Sequence, residues 1–265
     1  MRKNIIYKFI AVLIALLLWQ ILAMVIDTSI LIVTPLSVIK RLGTIWLEEG
    51  FWGSVAFSLL RILIGFFSGL IAGIILAVLS SKSKIIESLL WPYMVTVRSV
   101  PVASIVVICL IWLSSANLSV FISFLIVLPV IYQNMLTGIR SRDKELEEAA
   151  MVSGAGFMQR FRYITLPQVA PHLISACTVT IGMAWKAGIA AEIIGTPKGS
   201  IGQQLYLSKT YLDTDDLLAW TVVLVILSII CEKIIVTLLK LLIKKLSLEA
   251  PDRITVKKRR KKARH

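Results

Sequence analysis

The sequence predicts an all-α integral membrane protein with six membrane-spanning helices. Its 265 residues are 57% hydrophobic, and the mean hydropathy of +0.86 is too high for a soluble domain, whose surface must be largely polar. Several apolar runs approach or exceed the roughly 20 residues that a helix needs to cross a hydrocarbon core. One polar interruption, EEAAMVSGAGFMQRFRYITLP at residues 147–167, combines acids, arginines, two close glycines and a proline.

Six candidate spans follow one another along the chain, at residues 7–26, 55–79, 85–113, 118–136, 173–194 and 217–243. The first follows Arg2 and Lys3, but it is too long for a typical signal-peptide core and has no small-residue cleavage site, so we expect it to be retained. The third contains Pro92, Arg98 and Pro101. It forms either one interrupted span or a surface helix followed by a shorter span after Pro101.

Three glycines of the second span, Gly65, Gly69 and Gly73, are four residues apart and therefore share one helical face. Small residues at this spacing allow two membrane helices to approach closely. Glycine is also frequent in membrane helices without such a role, so both interpretations remain open.

The charges of the loops predict an orientation. Residues 80–84, residues 137–170 and the C-terminal tail carry Lys or Arg and would share one side with Arg2 and Lys3. The two longer loops of the other side, 27–54 and 195–216, contain more acids than bases. The positive-inside rule therefore predicts that both ends of the chain are cytoplasmic.

Charge and cysteine content exclude other classes of protein. Of the basic residues behind the net charge of +14, seven lie in KKRRKKAR at 257–264, where the positive-inside bias and anionic lipid explain them without nucleic acid. Cys109, Cys177 and Cys231 show no CxxC or Cys/His spacing, so we expect neither disulfides nor a metal site. No GxxxxGK[ST] loop occurs, so an ATP-binding site would have to lie on another polypeptide.

The polar segment predicts a helix, a turn and a second helix at the membrane surface. Leu146, Ala149 and Ala150 recur at helical spacing, which gives the first helix a small apolar face opposite its acids. Gly154 is expected to end this helix, and Pro167 to stop the second before the next span. The unit could lie on lipid as an amphipathic hairpin, but an alanine face is better suited to close approach by another protein.

The segment also resembles a family signature. Glu148, Ala149 and Ala150, three residues, Gly154, nine residues and ITLP at 164–167 read as EAA-x3-G-x9-IxLP, which is similar to the signature of inner-membrane permease subunits of binding-protein-dependent ABC importers. Residues 58–73, 97–104, 182–195 and 199–202 extend the resemblance towards permeases for sulfonates, taurine, nitrate and thiamine precursors. IWLSSAN at 111–117 departs from the WFG of many relatives, so the solute is not assigned.

The resemblance implies a type I ABC importer permease fold in a bacterial-type inner membrane. It divides the chain into an N-terminal helix with an outer loop (1–54), a permease core (55–245) with a cytoplasmic coupling loop (137–170), and a basic tail (246–265). In that family the first helix of the loop fits a groove on a cytoplasmic ATPase. The residues that this places at the interface are Glu147, Glu148, Ala149, Ala150, Gly154, Ile164, Leu166 and Pro167.

Partners follow from the same resemblance. ATP-binding cassette subunits would hold ATP and Mg and supply the energy, whereas this chain would bind no cofactor and would not itself be an enzyme. An extracytoplasmic binding protein would deliver a small solute. Because the chain has one EAA segment and cassettes work in pairs, two copies of it, or this chain with a similar partner, would form the transporter.

Charged residues within the spans are candidates for a translocation path, because an unpaired charge at membrane depth is destabilising. Arg98 lies in backbone that is broken by prolines and either lines a cavity or ends a helix. Lys186 and Glu192 are six residues apart and cannot face each other. The resemblance places their span at the path, where Lys186 would suit an anionic solute; Glu192 could instead be solvated at the outer end.

Two other functions remain as alternatives. A secondary carrier without an ATPase could use Lys186, Glu192 and Glu232, but it leaves the EAA segment unexplained. A polytopic membrane enzyme would need paired carboxylates, a His cluster or a Ser/His/Asp set, and the spans show none of these.

Overall fold

The computed structural model describes residues 2–26 and 33–248, and every regular element in this part of the chain is helical. The elements are α1 (Arg2–Ile26), α2 (Pro35–Ile45), α3 (Phe51–Lys82), α4 (Lys84–Ser99), α5 (Val102–Cys109), α6 (Ser115–Arg140), α7 (Lys144–Val152), α8 (Phe157–Arg160), a π-helical turn (Phe161–Thr165), α9 (Leu166–Gly195), α10 (Ile201–Thr210) and α11 (Thr214–Leu248). The predicted all-α membrane class is confirmed.

The number of spans differs from the prediction. Four described stretches are long and apolar enough to cross a membrane: Phe51–Lys82, Ser115–Arg140, Phe157–Gly195 and Thr214–Leu246. The pair α4 and α5 makes a fifth if it counts as one bent span. Helix α1 is 25 residues long, and its apolar stretch is Leu13–Val25. By length and composition the described residues thus provide four or five candidate spans, which makes the predicted six plausible but not exact.

The predicted third span, 85–113, is not one continuous helix. The axes of α4 and α5 differ by 103°. Steric clash with a proline ring disfavours helical backbone in the preceding residue, and Val100, which precedes Pro101, is extended at φ −80° and ψ 132°. The chain therefore breaks at Pro101 into a 16-residue and an 8-residue helix, as the alternative with a surface helix anticipated.

The core is formed where α3, α6 and α9 meet. Ile62 and Phe66 of α3, Ile131 of α6, and Ile181 and Trp185 of α9 are all fully buried there. The outer faces of the bundle also carry apolar side chains, which are exposed in the single chain and suit contact with lipid. The exposed aliphatic residues of α11, which include Val225, Ile229 and Leu238, belong to this outer surface.

The three spaced glycines of α3 lie against α6. A Cβ atom at Gly65 would come within 2.7 Å of the Ser123 Cβ, and one at Gly69 within 2.9 Å of the Phe124 carbonyl oxygen. At Gly73 the neighbour is Ile131, also at 2.9 Å. Side chains do not tolerate such distances, so only glycine permits the observed approach of the two helices.

A charged cluster joins the elements at the end of the bundle opposite α7. Arg41 of α2 donates to Asp216 of α11 at 2.6 Å and to Glu48 at 3.0 Å, and the Ser208 hydroxyl of α10 donates to Asp216 at 2.6 Å. Hydrogen bonding to Glu48 and then to Asp216 raises the pKa of the Arg41 guanidinium above its ordinary value. The cluster therefore fixes α2 and α10 against the start of α11.

The segment between the fourth and fifth predicted spans is mostly helical. Helix α6 continues to Arg140 and α9 begins at Leu166, so both ends of the predicted loop 137–170 belong to spanning helices. At the C-terminal end α11 extends through Leu248, and the predicted basic tail from residue 249 onwards lies outside the described residues, as do residues 27–32 of the outer loop.

Candidate functional site

Helix α7 is a short, well-capped helix that projects from the end of the bundle. The Asp143 carboxylate accepts a hydrogen bond from the Leu146 N–H at 3.1 Å and so caps its N-terminus. Beyond its C-terminus, the Ala155 N–H donates to the Ala150 carbonyl and the Gly154 N–H to the Met151 carbonyl, both at 3.0 Å. This pair of bonds is a Schellman motif.

Gly154 makes this motif possible because its φ is +79°. L-amino acids with a side chain rarely adopt that conformation, whereas glycine does so readily. A Cβ atom at this position would meet no atom within 4 Å, so backbone conformation rather than space requires the glycine. The structure thus places Gly154 at the direction change between α7 and α8.

Two anchors fix α7 to the bundle. The Gln168 side chain of α9 accepts a hydrogen bond from the Asp143 N–H at 2.7 Å. Glu147 pairs with Arg142 at 2.5 Å and accepts a hydrogen bond from the Thr165 hydroxyl at 3.1 Å. Both contacts lie in the N-terminal half of α7, and they tie it to residues at and immediately before the start of α9.

The opposite side of α7 is uncovered. Glu148 and Ala149 are exposed, Val152 is 91% exposed, and Met158 of α8 extends the apolar surface beyond the turn. We call Glu148, Ala149, Val152 and Met158 the docking face. An exposed apolar patch that polar residues surround is typical of a protein-binding surface. Ala150 is half-buried behind this face.

The remaining residues of the predicted interface lie where α8 runs into α9. Ile164 and Leu166 are partly buried and Pro167 is exposed. The prediction that Pro167 stops the second helix is wrong, because the helical path continues from Phe157 to Gly195. A π-helical turn precedes the proline, and the Leu166 N–H donates to the Phe161 carbonyl five residues back. The widened turn accommodates a residue that has no N–H to donate.

Lys186 lies on a face of α9 that no other element covers. Val179 and Met183, about two turns and one turn before it respectively, are exposed on the same face. Within the part of the chain that the structure describes, Lys186 has no hydrogen bond or ion pair, and a bare ammonium group facing lipid would be strongly destabilised. The face therefore requires either water or a polar partner.

Arg98 lies near the same face. It donates to the Pro129 carbonyl of α6 at 2.6 Å and lines a cavity of about 420 Å³. Met183 lines this cavity as well, together with Gln133 and Asn134 of α6. These two amides were missed in the sequence, although polar side chains in an otherwise apolar span are a usable signal.

Glu192 lies elsewhere and is fully buried. Its Oε2 accepts hydrogen bonds from the Ser58 hydroxyl of α3 at 2.6 Å and from the Gly202 N–H of α10 at 3.3 Å. Ser58 in turn accepts from the Ile201 N–H at 2.9 Å. Glu192 therefore joins three helices, and this position favours a structural role over the predicted contact with solute or solvent.

Residues 69–248 match the protein family described as the binding-protein-dependent transport system inner membrane component. The chain is 25% identical over 220 residues to the taurine transport system permease protein TauC of Escherichia coli K12, with 81% of this chain and 80% of that protein covered. It is 24% identical over 230 residues to the putative aliphatic sulfonates transport permease protein SsuC of Bacillus subtilis 168, with 86% and 83% covered.

Among solved structures, a crystal structure of an amino acid ABC transporter with histidines is similar over 72% of this chain and 90% of that chain, with 19% sequence identity and a TM-score of 0.48. The two permease relatives are named for taurine and aliphatic sulfonates, which belong to the branch that the sequence motifs indicated. The predicted resemblance is therefore confirmed.

Proposed function

Because the chain belongs to the family of binding-protein-dependent inner membrane components and is a permease subunit of an ABC importer, we propose that its docking face couples it to a cytoplasmic ATPase. Importers of this class work with separate ATPase and binding-protein partners, and the permease is a multi-pass membrane component without enzymatic activity of its own.

The observation that supports coupling to an ATPase is the uncovered face of α7. It is polar at Glu148, small at Ala149 and apolar at Val152, so it offers both charge and close approach to another protein. The anchors through Asp143 and Glu147 make it a rigid unit with the start of α9. Movement of a bound ATPase pair, driven by ATP and Mg on that partner, would thus shift α9 and open the bundle alternately to each side.

This assignment includes an orientation. The docking face, the basic residues at the ends of α3 and α6, and both chain termini lie in the cytoplasm in our proposal, in accord with the positive-inside rule. The cluster around Arg41 and Asp216 then faces outward, where an extracytoplasmic binding protein would dock.

Lys186 supports a second copy of the chain as the partner of α9. Two α9 faces brought together by a two-fold axis would enclose the exposed stripe of Val179, Met183 and Lys186. The two lysines would then face a shared aqueous path instead of lipid. We propose a homodimer for this reason.

The same lysines indicate the class of solute. Two cations in a path of low dielectric favour an anion over a neutral or cationic solute. Arg98, near the same face, adds to this preference. Because the relatives are named for taurine and aliphatic sulfonates, we propose that the solute is a small organic or inorganic anion.

The experiment that tests the coupling role is charge reversal at Glu148. We expect Glu148→Lys to assemble in the membrane normally, to lose co-purification with the ATPase, and to reduce transport to background, because the change inserts a cation into the docking face. Lys84→Glu, a reversal of equal size at an exposed residue of α4, is the matched control and should leave both measurements unchanged. If Glu148→Lys binds the ATPase and transports as well as the parent, the docking face is assigned wrongly.

A further inference from the structure

A large apolar cavity lies beneath the α7–α8 segment, between the ends of α3, α6 and α9. Its volume is about 530 Å³, which is within the range of small-molecule and cofactor pockets. It extends along α3 from Lys82 back to Ile74, about two helical turns. Most of its lining is aliphatic or aromatic: Ile74, Val78, Met135, Phe157, Phe161 and Leu173.

A polar cleft of about 460 Å³ adjoins this cavity and shares Lys82, Arg142 and Glu147 with it. The cleft is lined by four cations and two carboxylates, those of Lys82, Arg140, Arg142, Lys144, Glu147 and Glu148. An apolar compartment thus opens directly into a basic one. An amphiphile with an anionic head has the matching distribution of polarity.

Internal partners neutralise only part of this positive charge. Arg142 pairs with Glu147 at 2.5 Å, and Arg140 donates to Glu87 at 2.8 Å. Each of these two cations therefore has a carboxylate of its own.

Lys82 and Lys144 of the cleft and Arg160 of the apolar cavity remain. The side chains of these three residues have no hydrogen bond or ion pair with any residue in the ranges 2–26 and 33–248. The Nε atom of Arg160, which lines the apolar cavity, is shielded from solvent and has no acceptor there. An unsatisfied buried donor of a cationic group is destabilising, so the site is one that an anion would complete.

We propose that the cavity and the cleft together bind one anionic phospholipid of the cytoplasmic leaflet. One acyl chain occupies the apolar cavity, and the phosphate lies between Lys82 and Arg160 at its mouth. Basic pockets between membrane helices on the cytoplasmic side are typical sites for anionic headgroups. A free inorganic anion would satisfy the cations but leave the apolar volume empty, so the observations favour the lipid.

The position of the site gives the lipid a role. Phe157, Arg160 and Phe161 belong to the segment that follows the docking face, whereas Lys82 and Val78 belong to α3. A lipid held between them braces that segment against the bundle. The site rests on the proposed orientation, because it needs the cytoplasmic leaflet at this end of the helices.

Native mass spectrometry of the permease purified together with its ATPase tests the proposal. Detergent-solubilised complex is supplemented with phosphatidylglycerol or phosphatidylcholine, and bound lipid is counted against concentration. We expect phosphatidylglycerol to bind at lower concentration than phosphatidylcholine. Lys82→Gln combined with Arg160→Gln should weaken phosphatidylglycerol binding by about 30-fold, since one cation near the membrane surface contributes about fivefold.

Two further variants separate charge from cavity. Lys84→Gln removes an exposed cation that lines neither compartment, and it should leave the preference for phosphatidylglycerol unchanged. Ala170→Leu fills the apolar cavity from α9 without changing charge, so it should weaken binding of the lipid. Inorganic phosphate should not displace the lipid from the parent protein. Size-exclusion chromatography establishes that each variant is folded and assembled.

Several outcomes would overturn the proposal: equal binding of the two lipids by the parent, an unaltered preference in the double variant, or displacement of the lipid by millimolar inorganic phosphate, which would make this a simple anion site. Binding to the permease alone but never to the assembled complex would assign the cavity to the ATPase instead. Because lipid binding is the readout, each of these results is distinguishable from failure of the coupling role. An inverted orientation would be detected separately, by labelling a cysteine at Ser153 from outside the cell.

Discussion

Two adjacent acids, Glu147 and Glu148, have opposite environments. Glu147 turns towards the bundle, where Arg142 and Thr165 hold it, and its side chain is only 21% exposed. Glu148 is exposed beside the small and apolar residues of the docking face, and it also borders the polar cleft. The resemblance to the family assigned both to the ATPase interface, whereas the contacts make Glu147 an internal anchor that holds the outward face in place.

The left-handed turn at Gly154, the glycine of the EAA-x3-G pattern, can be tested by substitution. We expect Gly154→Ala to weaken binding of the ATPase by about 5- to 30-fold. Alanine at a φ of +79° carries about 1–2 kcal/mol of backbone strain, and the variant must accept this strain to dock in the observed geometry. Titration of the purified permease with the ATPase measures the change.

Gly156→Ala is the matched control, since Gly156 has an ordinary φ of −65° and open space around it. It should bind the ATPase as the parent does. If the two alanine variants bind equally well, the left-handed turn is not needed for docking.

At the scale of helices, the sequence predicted apolar elements well and their joints poorly. The runs of α3, α6, α9 and α11 were recognised because length and hydropathy are local properties. Pro101 and Pro167 show why the joints were harder. A proline always removes one N–H, but the neighbouring backbone decides the result. At Pro101 the preceding residue is extended and the two helix axes differ by 103°. At Pro167 a π-helical turn precedes the proline and the helix continues.

Buried polar contacts were also beyond reach of the sequence. The environment of Glu192 depends on Ser58 and Gly202, which come from two other helices. No spacing within residues 182–195 reveals those partners. The stripe of Gly65, Gly69 and Gly73 was visible as a pattern, but only the structure identifies α6 as the helix that it contacts.

The junction of α3 with α6 predicts opposite effects for two alanines on one helix. Gly65→Ala should lower the free energy of unfolding by about 1–3 kcal/mol, because its Cβ would lie 2.7 Å from the Ser123 Cβ and force the helices apart. Gly53→Ala should be neutral or raise it by up to about 1 kcal/mol, because Gly53 has no neighbour within 4 Å and alanine favours helix.

Unfolding of both variants in detergent, followed by circular dichroism, measures the two free energies. Equal stability of Gly65→Ala and the parent would mean that α3 and α6 pack less closely than described.

At the scale of the whole molecule, the permease is a packed bundle with three exposed surfaces that no element of the single chain covers. The docking face at one end, the stripe around Lys186 along one side, and the charged outer cluster at the other end each suit a different partner. The anchors from α7 to α9 join the first two surfaces, because Asp143 bonds to Gln168 at the start of the helix that carries Lys186. A single helix thus connects the proposed ATPase interface with the proposed path.

Site-specific photo-cross-linking at Val152 tests this account most directly. Val152 is 91% exposed at the centre of the docking face, whereas Val225 lies on the apolar outer surface of α11 and serves as the control position. With a benzophenone side chain at each position in the assembled transporter, we expect irradiation to join residue 152 to the ATPase and residue 225 to no protein subunit. Absence of an ATPase cross-link from 152, or its capture of the extracytoplasmic binding protein, would contradict the central claim.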